Sequence, residues 1–296
     1  MVKIPKSPAE SRTSTGVAAI AVAATIFSWG FVIVKYVALP APVIATWRLL
    51  IGATFLAAVA RVTKTPWPTN YTAVIAAGLA FGVHQLLYIN AAQHTSIAIV
   101  AIIGAMKPLV VTLVARRVVG ETVPAAFRLW ALVALAGVAL VVFANYRDDS
   151  RTLFGDLLAV ANLFAVTGYL LFSKRARMEG APTLTFTACM IGIAMLVVAP
   201  GLLFVDAVLP AESWQWALIA LLALGPGNGH LLLNWAHRRV SAALLTLVLS
   251  LVPLLASIWA HLVFGEPYGW LHVAGMALVI LAIEGGRRAE LAAGQR

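Results

Sequence analysis

Ten apolar stretches follow one another along this chain with only short polar breaks between them. They lie at 16–38, 42–60, 70–92, 96–118, 125–145, 155–173, 183–205, 214–236, 240–263 and 268–286. A helix needs about 20 mainly apolar residues to cross the hydrocarbon core of a bilayer, and the stretches are of that length. Hydrocarbon offers no hydrogen bonds, so each backbone must satisfy itself. Runs this long and uniform do so as helices, not as the ~10-residue alternating strands of a barrel. The widest breaks, near 146–154 and 206–213, leave no room for a soluble domain. Composition follows from the same cause, being 62% apolar and 11% charged, whereas a soluble domain carries roughly 45–50% apolar and about 25% charged residues. The expected fold is an all-α polytopic membrane protein with ten transmembrane helices.

A formal charge of +10 needs a separate explanation. It does not point to nucleic acid, because no basic stripe interleaved with aromatics is present. With the N-terminus placed in the cytoplasm, sixteen of the 21 Lys and Arg residues fall on the inner side. Arg147 and Arg151 alone fall outside, and Lys35, Arg48 and Lys107 lie within spans. This is the positive-inside pattern, and it predicts that both termini are cytoplasmic. The first apolar run is too long for a signal-peptide core and is expected to stay as an anchor. The sequon Asn70-Tyr71-Thr72 then lies on the cytoplasmic side and reads as chance. A single Cys189 rules out an intramolecular disulfide and reads as a packing residue.

The chain also resembles itself. A shift of 145 residues superposes Leu86-Leu87 on Leu231-Leu232, Ala91 on Ala236, Ser96 on Ser241 and Ala98 on Ala243. It also superposes Pro108-Leu109 on Pro253-Leu254 and Gly120-Glu121 on Gly265-Glu266; a shift of 138 then places Ala136-Gly137 on Ala274-Gly275. Two repeats are expected, 1–147 with spans 1–5 and 148–296 with spans 6–10. Five spans per repeat is an odd number, so the second repeat enters the membrane from the opposite face. Inverted repeats are a mark of secondary transporters, whose substrate sits near the midplane while one half rocks against the other. An old duplication in a membrane protein of another activity would leave the same trace.

Family-like residues lie along this frame. The first span carries Ser28-Trp29-Gly30 and then Lys35; the second starts at Pro42 and carries Arg48. The third and fourth read Tyr88, Ala91-Ala92, Thr95-Ser96, Pro108 and Gly120-Glu121, and the second half repeats Pro253 and Gly265-Glu266. Over nearly its whole length the chain resembles the EamA-type transporters of the drug/metabolite transporter superfamily. Among these it looks most like bacterial exporters of amino acids, including aromatic ones. The resemblance implies ten helices in two inverted five-helix halves around a central cavity, in a bacterial inner (plasma) membrane, exporting small metabolites. The sequence departs from the family pattern at Val166-Thr167-Gly168-Tyr169, where a Trp is often found, and at Lys107, a usually apolar place.

Substrate-binding candidates come from polar groups held deep in spans. Lys107 lies eleven residues beyond Ser96, about 16 Å into the bilayer. A charge there costs about 2.5–3.5 kcal/mol on insertion scales, so it should face a cavity or a partner. It could hold a substrate carboxylate, or be satisfied by helix carbonyls, one of which Pro108 frees near Gly104. His84 and Tyr88 share a helical face, with Gln85 beside them. The eighth span offers Asn228, His230 and Trp235, and the repeat places Gln85 opposite His230. Such groups with an aromatic wall suit an amphipathic zwitterion, though interhelical polar glue uses the same residues. Trp29, deep in the first span, completes the candidate substrate-binding set, with buried packing as its alternative. Gly225-Pro226-Gly227-Asn228-Gly229 in the eighth span and Gly78-x-x-x-Gly82 in the third mark backbone breaks or close helix packing. Arg48 and Lys35 read as charges snorkelling outward, or for Arg48 as a bundle stabiliser. Glu121 and Glu266 read as structural partners of nearby Arg residues or helix ends.

No HExxH, GxSxG or acidic metal cluster is present, which argues against a membrane enzyme. No acidic ring or filter loop supports a channel. No catalytic group, cofactor or metal is expected. The expected partners are a small-molecule substrate, an amino acid or metabolite, and the lipid bilayer, with no nucleic acid, and the protein is expected to act as a monomer. With no carboxylate at the centre of a span, proton coupling would need His84, His230 or Lys107 to titrate; facilitated diffusion needs none of them.

Overall fold

The computed structural model describes residues 8–95, 97–144, 152–265 and 267–294. Its regular elements are all helical, with no strand among the described residues. Ten spans cross a membrane's thickness by length and apolar composition. Six are single helices: α1 (Pro8–Val37), α2 (Ala41–Val62), α3 (Thr72–His94), α6 (Ala125–Ala144), α7 (Leu153–Met178) and α13 (Trp270–Gly294). The other four are interrupted. The fourth span is α4 (Ile97–Ala105) followed by α5 (Lys107–Val119), and the seventh is α8 (Thr183–Val198) continued by a 3-10 turn (Ala199–Phe204). The eighth is α9 (Ser213–Leu224) with α10 (Pro226–Ala236), and the ninth is α11 (Ala242–Val248) with α12 (Leu251–Phe264).

Each break has a local cause. Proline has no N–H, so Pro108 and Pro253 cannot bond the carbonyls of Gly104 and Leu249 four residues earlier. The chain tightens instead: Met106 N–H donates to the Ile103 carbonyl at 3.1 Å, and Val252 N–H to that of Leu249 at 3.1 Å. These breaks fall at matching places under the 145-residue shift. In the eighth span Gly225 leaves helical geometry (φ −84°, ψ −91°) and Pro226 starts α10. The third span, with Gly78 and Gly82, remains one continuous helix. A Cβ on Gly78 would lie 2.6 Å from Ile193, and one on Gly82 would lie 2.6 Å from Val197. Their small size therefore serves close packing on α8.

The Gly-Glu motifs also acquire a reason. Gly120 ends α5 at φ 72° and Gly265 ends α12 at φ 69°, left-handed turns that favour glycine. Glu121, next in line, accepts from the backbone N–H of Ala242 at 2.8 Å, capping the start of α11. Glu266, Ser96, Arg147 and Arg151 lie outside the described residues, as does the side chain of Lys35.

The start of α1 and the end of α13 share one end of the bundle, here called the terminal end, where Arg287 pairs with Glu10 at 3.7 Å, and further polar contacts tie that end together. Lys174 is buried and pairs with Glu121 at 2.8 Å. It also donates to the carbonyls of His237 at 2.5 Å and Val240 at 2.6 Å. Arg177 donates to the Asn234 carbonyl at 2.9 Å, and Glu290 accepts from Ser241 N–H at 3.1 Å. At the far end the ties are lighter. Thr95 donates to Asp156 at 2.7 Å, and the Thr152 hydroxyl, which accepts from Gly155 N–H, donates to the His94 carbonyl.

Candidate functional site

Helical spacing builds a polar group in the middle of the bundle. On α3, Phe81, His84 and Tyr88 sit at i, i+3 and i+7 and so share a face. On α7, Asn162 and Tyr169 are seven residues apart and do the same. His84 Nδ1 donates to Asn162 Oδ1 at 2.6 Å. Tyr169 Oη and His230 Nδ1, the latter on α10, are hydrogen-bonded at 2.8 Å. The Phe81 ring lies between these pairs, 4.6 Å from His230 and 4.8 Å from Tyr169. Phe27 of α1 closes the other side of His230 at 4.7 Å. The His84 and Tyr169 rings are parallel to within 5° at 6.4 Å, and Tyr88 follows at 5.9 Å from His84. The result is a ladder of alternating aromatic and hydrogen-bonding groups from α10 across α7 to α3.

Two cations adjoin this ladder. Arg48, half-buried on α2, acts electrostatically on Tyr88, His84 and His230. Lys107, half-buried at the α4–α5 break, acts on His84. Its side chain folds back along the span, so that a Cβ on Gly104 would stand 3.3 Å from Nζ. Neither cation forms a hydrogen bond or ion pair among the described residues.

Of the sequence-derived candidates, His84, Tyr88, Lys107 and His230 come together in this region. Gln85 is buried beside them and takes part in none of the hydrogen bonds just described. The remaining three have other surroundings. Asn228 donates to the Leu224 carbonyl at 2.5 Å, satisfying a group in the last turn of α9. Trp235 lies toward the terminal end, with the Arg239 guanidinium 3.2 Å above its ring. Trp29 is 39% exposed and packs against Trp259 at 4.2 Å with the rings tilted by 31°, while Trp259 Nε1 donates to Ser28 at 2.8 Å. Sequence reasoning did not single out Phe27, Phe81 or Asn162, and it named Tyr169 only as a departure from a family pattern. The spacing of seven between Asn162 and Tyr169, which puts both on one face of the span, was the available signal.

This geometry can be set beside known proteins. The EamA-like transporter family matches twice, at residues 14–143 and 153–284. The "Pseudopaline exporter CntI" of Pseudomonas aeruginosa (strain UCBPP-PA14) is 22% identical over 205 residues, covering 69% of this chain and 71% of the relative. The "Uncharacterized transporter YyaM" of Bacillus subtilis (strain 168) is 25% identical over 254 residues, covering 81% and 82%. A solved structure, described as "Crystal structure of protein", superposes with a TM-score of 0.76 at 20% identity, covering 92% of this chain and 96% of the other. That last likeness speaks for the fold alone, while the two family matches cover most of the sequence. This multi-pass bacterial membrane protein belongs to the EamA-like transporter family.

Proposed function

We propose that the protein is a secondary exporter of amino acids and related small metabolites, working by alternating access through the centre of the bundle. The carrying observation is the polar ladder at mid-depth. Buried hydrogen-bonding groups are costly in a bilayer interior and mark substrate pathways. Here they join the two segments that match the family: His84 and Phe81 belong to the first, Asn162, Tyr169 and His230 to the second. We read those segments as the inverted halves 1–147 and 148–296, with both termini cytoplasmic, a reading that the distribution of basic residues supports. A substrate held between halves is released by rocking one against the other, while the tied ends of the bundle open in turn. The rings of Phe27, Phe81 and Tyr169 offer a wall for an apolar or aromatic side chain, and Lys107 a partner for a carboxylate. Neutral and aromatic amino acids are the first class to test. Movement down the substrate gradient is the mode that needs no titrating relay.

The test is flux in liposomes containing the purified protein. Saturable, protein-dependent counterflow of candidate solutes is expected, with Lys107→Ala and Tyr88→Ala each lowering it by about tenfold, the scale of one lost charged or buried hydrogen bond. Expression and monodispersity should be unchanged. Flux equal to that of the parent in both variants would remove these residues from the pathway. No saturable flux for any solute would overturn the transport reading itself.

A further inference from the structure

The site contains positive charge that no acidic group among the described residues balances. Arg48 is seven residues from the start of α2 at Ala41, and Lys107 ten from the start of α4 at Ile97. At 1.5 Å per residue these depths are about 10 and 15 Å from the far end. Tyr88 and His84, six and ten residues before the end of α3, lie at about 9 and 15 Å on the same scale. The two cations therefore stand at the levels of the two α3 side chains, on separate helices.

No acid in the described residues answers them. Asp156 is in the first turn of α7 and accepts from Thr95. Glu121 and Glu290 serve Lys174, Ala242 and Ser241 at the terminal end. Glu284, the acid deepest within a span, is committed to Arg287 and Arg288. The neutral neighbours His84 and Tyr88 can accept or donate hydrogen bonds but cannot neutralise two charges. Buried or half-buried charge in a bilayer is retained when it is paired, and here the missing counter-charge has to arrive with the solute.

We propose that Arg48 and Lys107 together seat an organic anion bearing net negative charge, with acidic oxygens on two cations and its apolar body against the Tyr88–His84 side of the ladder. The inference rests on the transport reading and revises its first class of solute, the neutral and aromatic amino acids. Within the amino-acid class, it selects solutes with a second acidic group over neutral ones. The guanidinium supplies a planar fork for two oxygens, and the ammonium a point charge from another helix. Carboxylates and phosphate esters share this chemistry, so both belong in the test.

Counterflow in proteoliposomes decides it, with glutamate and succinate as acids, glycerol 3-phosphate as a phosphate ester, phenylalanine and tryptophan as neutral solutes, and tyramine as a cation. The anions should move at least about tenfold faster than the neutral and cationic solutes. Arg48→Gln and Lys107→Gln should each cut anion flux by about tenfold, the worth of one charge-assisted contact. Lys107→Arg, which keeps the charge, should retain most of it. Preference for glycerol 3-phosphate over both acids would assign the seat to phosphate, and the reverse to carboxylate; either supports it. Should Arg48→Gln fail to give monodisperse protein, Arg48→Lys is read in its place, with partial loss expected. Saturable flux of phenylalanine, tryptophan or tyramine that matches or exceeds the anions would overturn the seat while leaving transport intact. Unchanged anion flux in both Gln variants would do the same. Absence of flux for every solute refutes the transport reading, and the seat falls with it.

Discussion

Arg48 and His237 show what single residues contribute that their positions in the sequence conceal. From the sequence, Arg48 looks like a charge near a span end, free to snorkel. Its actual role depends on which face of α2 packs inward, and neighbouring helices decide that. The polar face of α3 was readable because His84 and Tyr88 repeat at helical spacing; the face of α2 has no such second mark. His237 follows the end of α10, is fully buried, and has no hydrogen-bond partner at either ring nitrogen. Burial, together with the nearby charges of Lys174 and Arg177, holds its imidazole well below the ordinary value of 6.5. An unfolded chain takes up a proton there as pH falls through that ordinary value, and the folded protein does not. Stability is thus full above about pH 6.5 and declines below it, by up to about 1.4 kcal/mol per pH unit. Melting of the detergent-solubilised protein should show this slope, and His237→Leu should reduce it, the other buried histidines supplying the remainder. An equal acid slope in that variant would place its origin elsewhere.

Elements were the most legible level, and their ends the least. All ten spans fall where apolar runs predict them. Yet α7 continues to Met178, five residues past its apolar run, and α13 to Gly294, eight past its own. Hydropathy stops at a charge, whereas a helix stops when its backbone loses partners. Lys174 and Arg177 stay helical because carbonyls of neighbouring segments receive their donors. The internal breaks were legible only where a proline marked them. Helix-to-helix fit was partly written too, in the superposition of Gly137 on Gly275. These glycines bring α6 and α13 into direct backbone approach: a Cβ on Gly137 would lie 2.7 Å from the Gly275 carbonyl oxygen. Gly137→Ala forces a backbone to move and should cost about 1–3 kcal/mol, the usual range for overpacking. Lower thermal stability with unchanged flux per folded molecule is the expected measurement. A melting temperature equal to the parent's would show that the two helices separate freely.

For the whole molecule, the two ends of the bundle differ in kind. Among the described residues, the terminal end is fastened by a buried ion pair with carbonyl acceptors around it, the far end by hydroxyl, indole and amide groups and one carboxylate. Removing one partner of a buried ion pair strands the other, at about 3–5 kcal/mol. Glu121→Gln should therefore loosen the terminal end specifically. Ser173, buried next to Lys174 on α7, offers a reporter. As a cysteine, in a Cys189→Ala background, it should react with a polar thiol reagent at least about tenfold faster when Glu121→Gln is added, corresponding to ~1.4 kcal/mol of easier opening. Equal reaction rates would mean that this ion pair does not hold the end shut.

The glycine seam between α6 and α13 also sets how such opening can proceed. With no side chain separating the two backbones at Gly137 and Gly275, the helices have no room to approach further there, and parting them would give up that close packing. On the alternating-access reading proposed above, the seam acts as an axle, with each half a lever arm pivoting on it. The sweep of any atom during a cycle then grows with its distance from that axle. Residues beside the seam stay nearly still, and the widest excursions belong to the segments farthest from it.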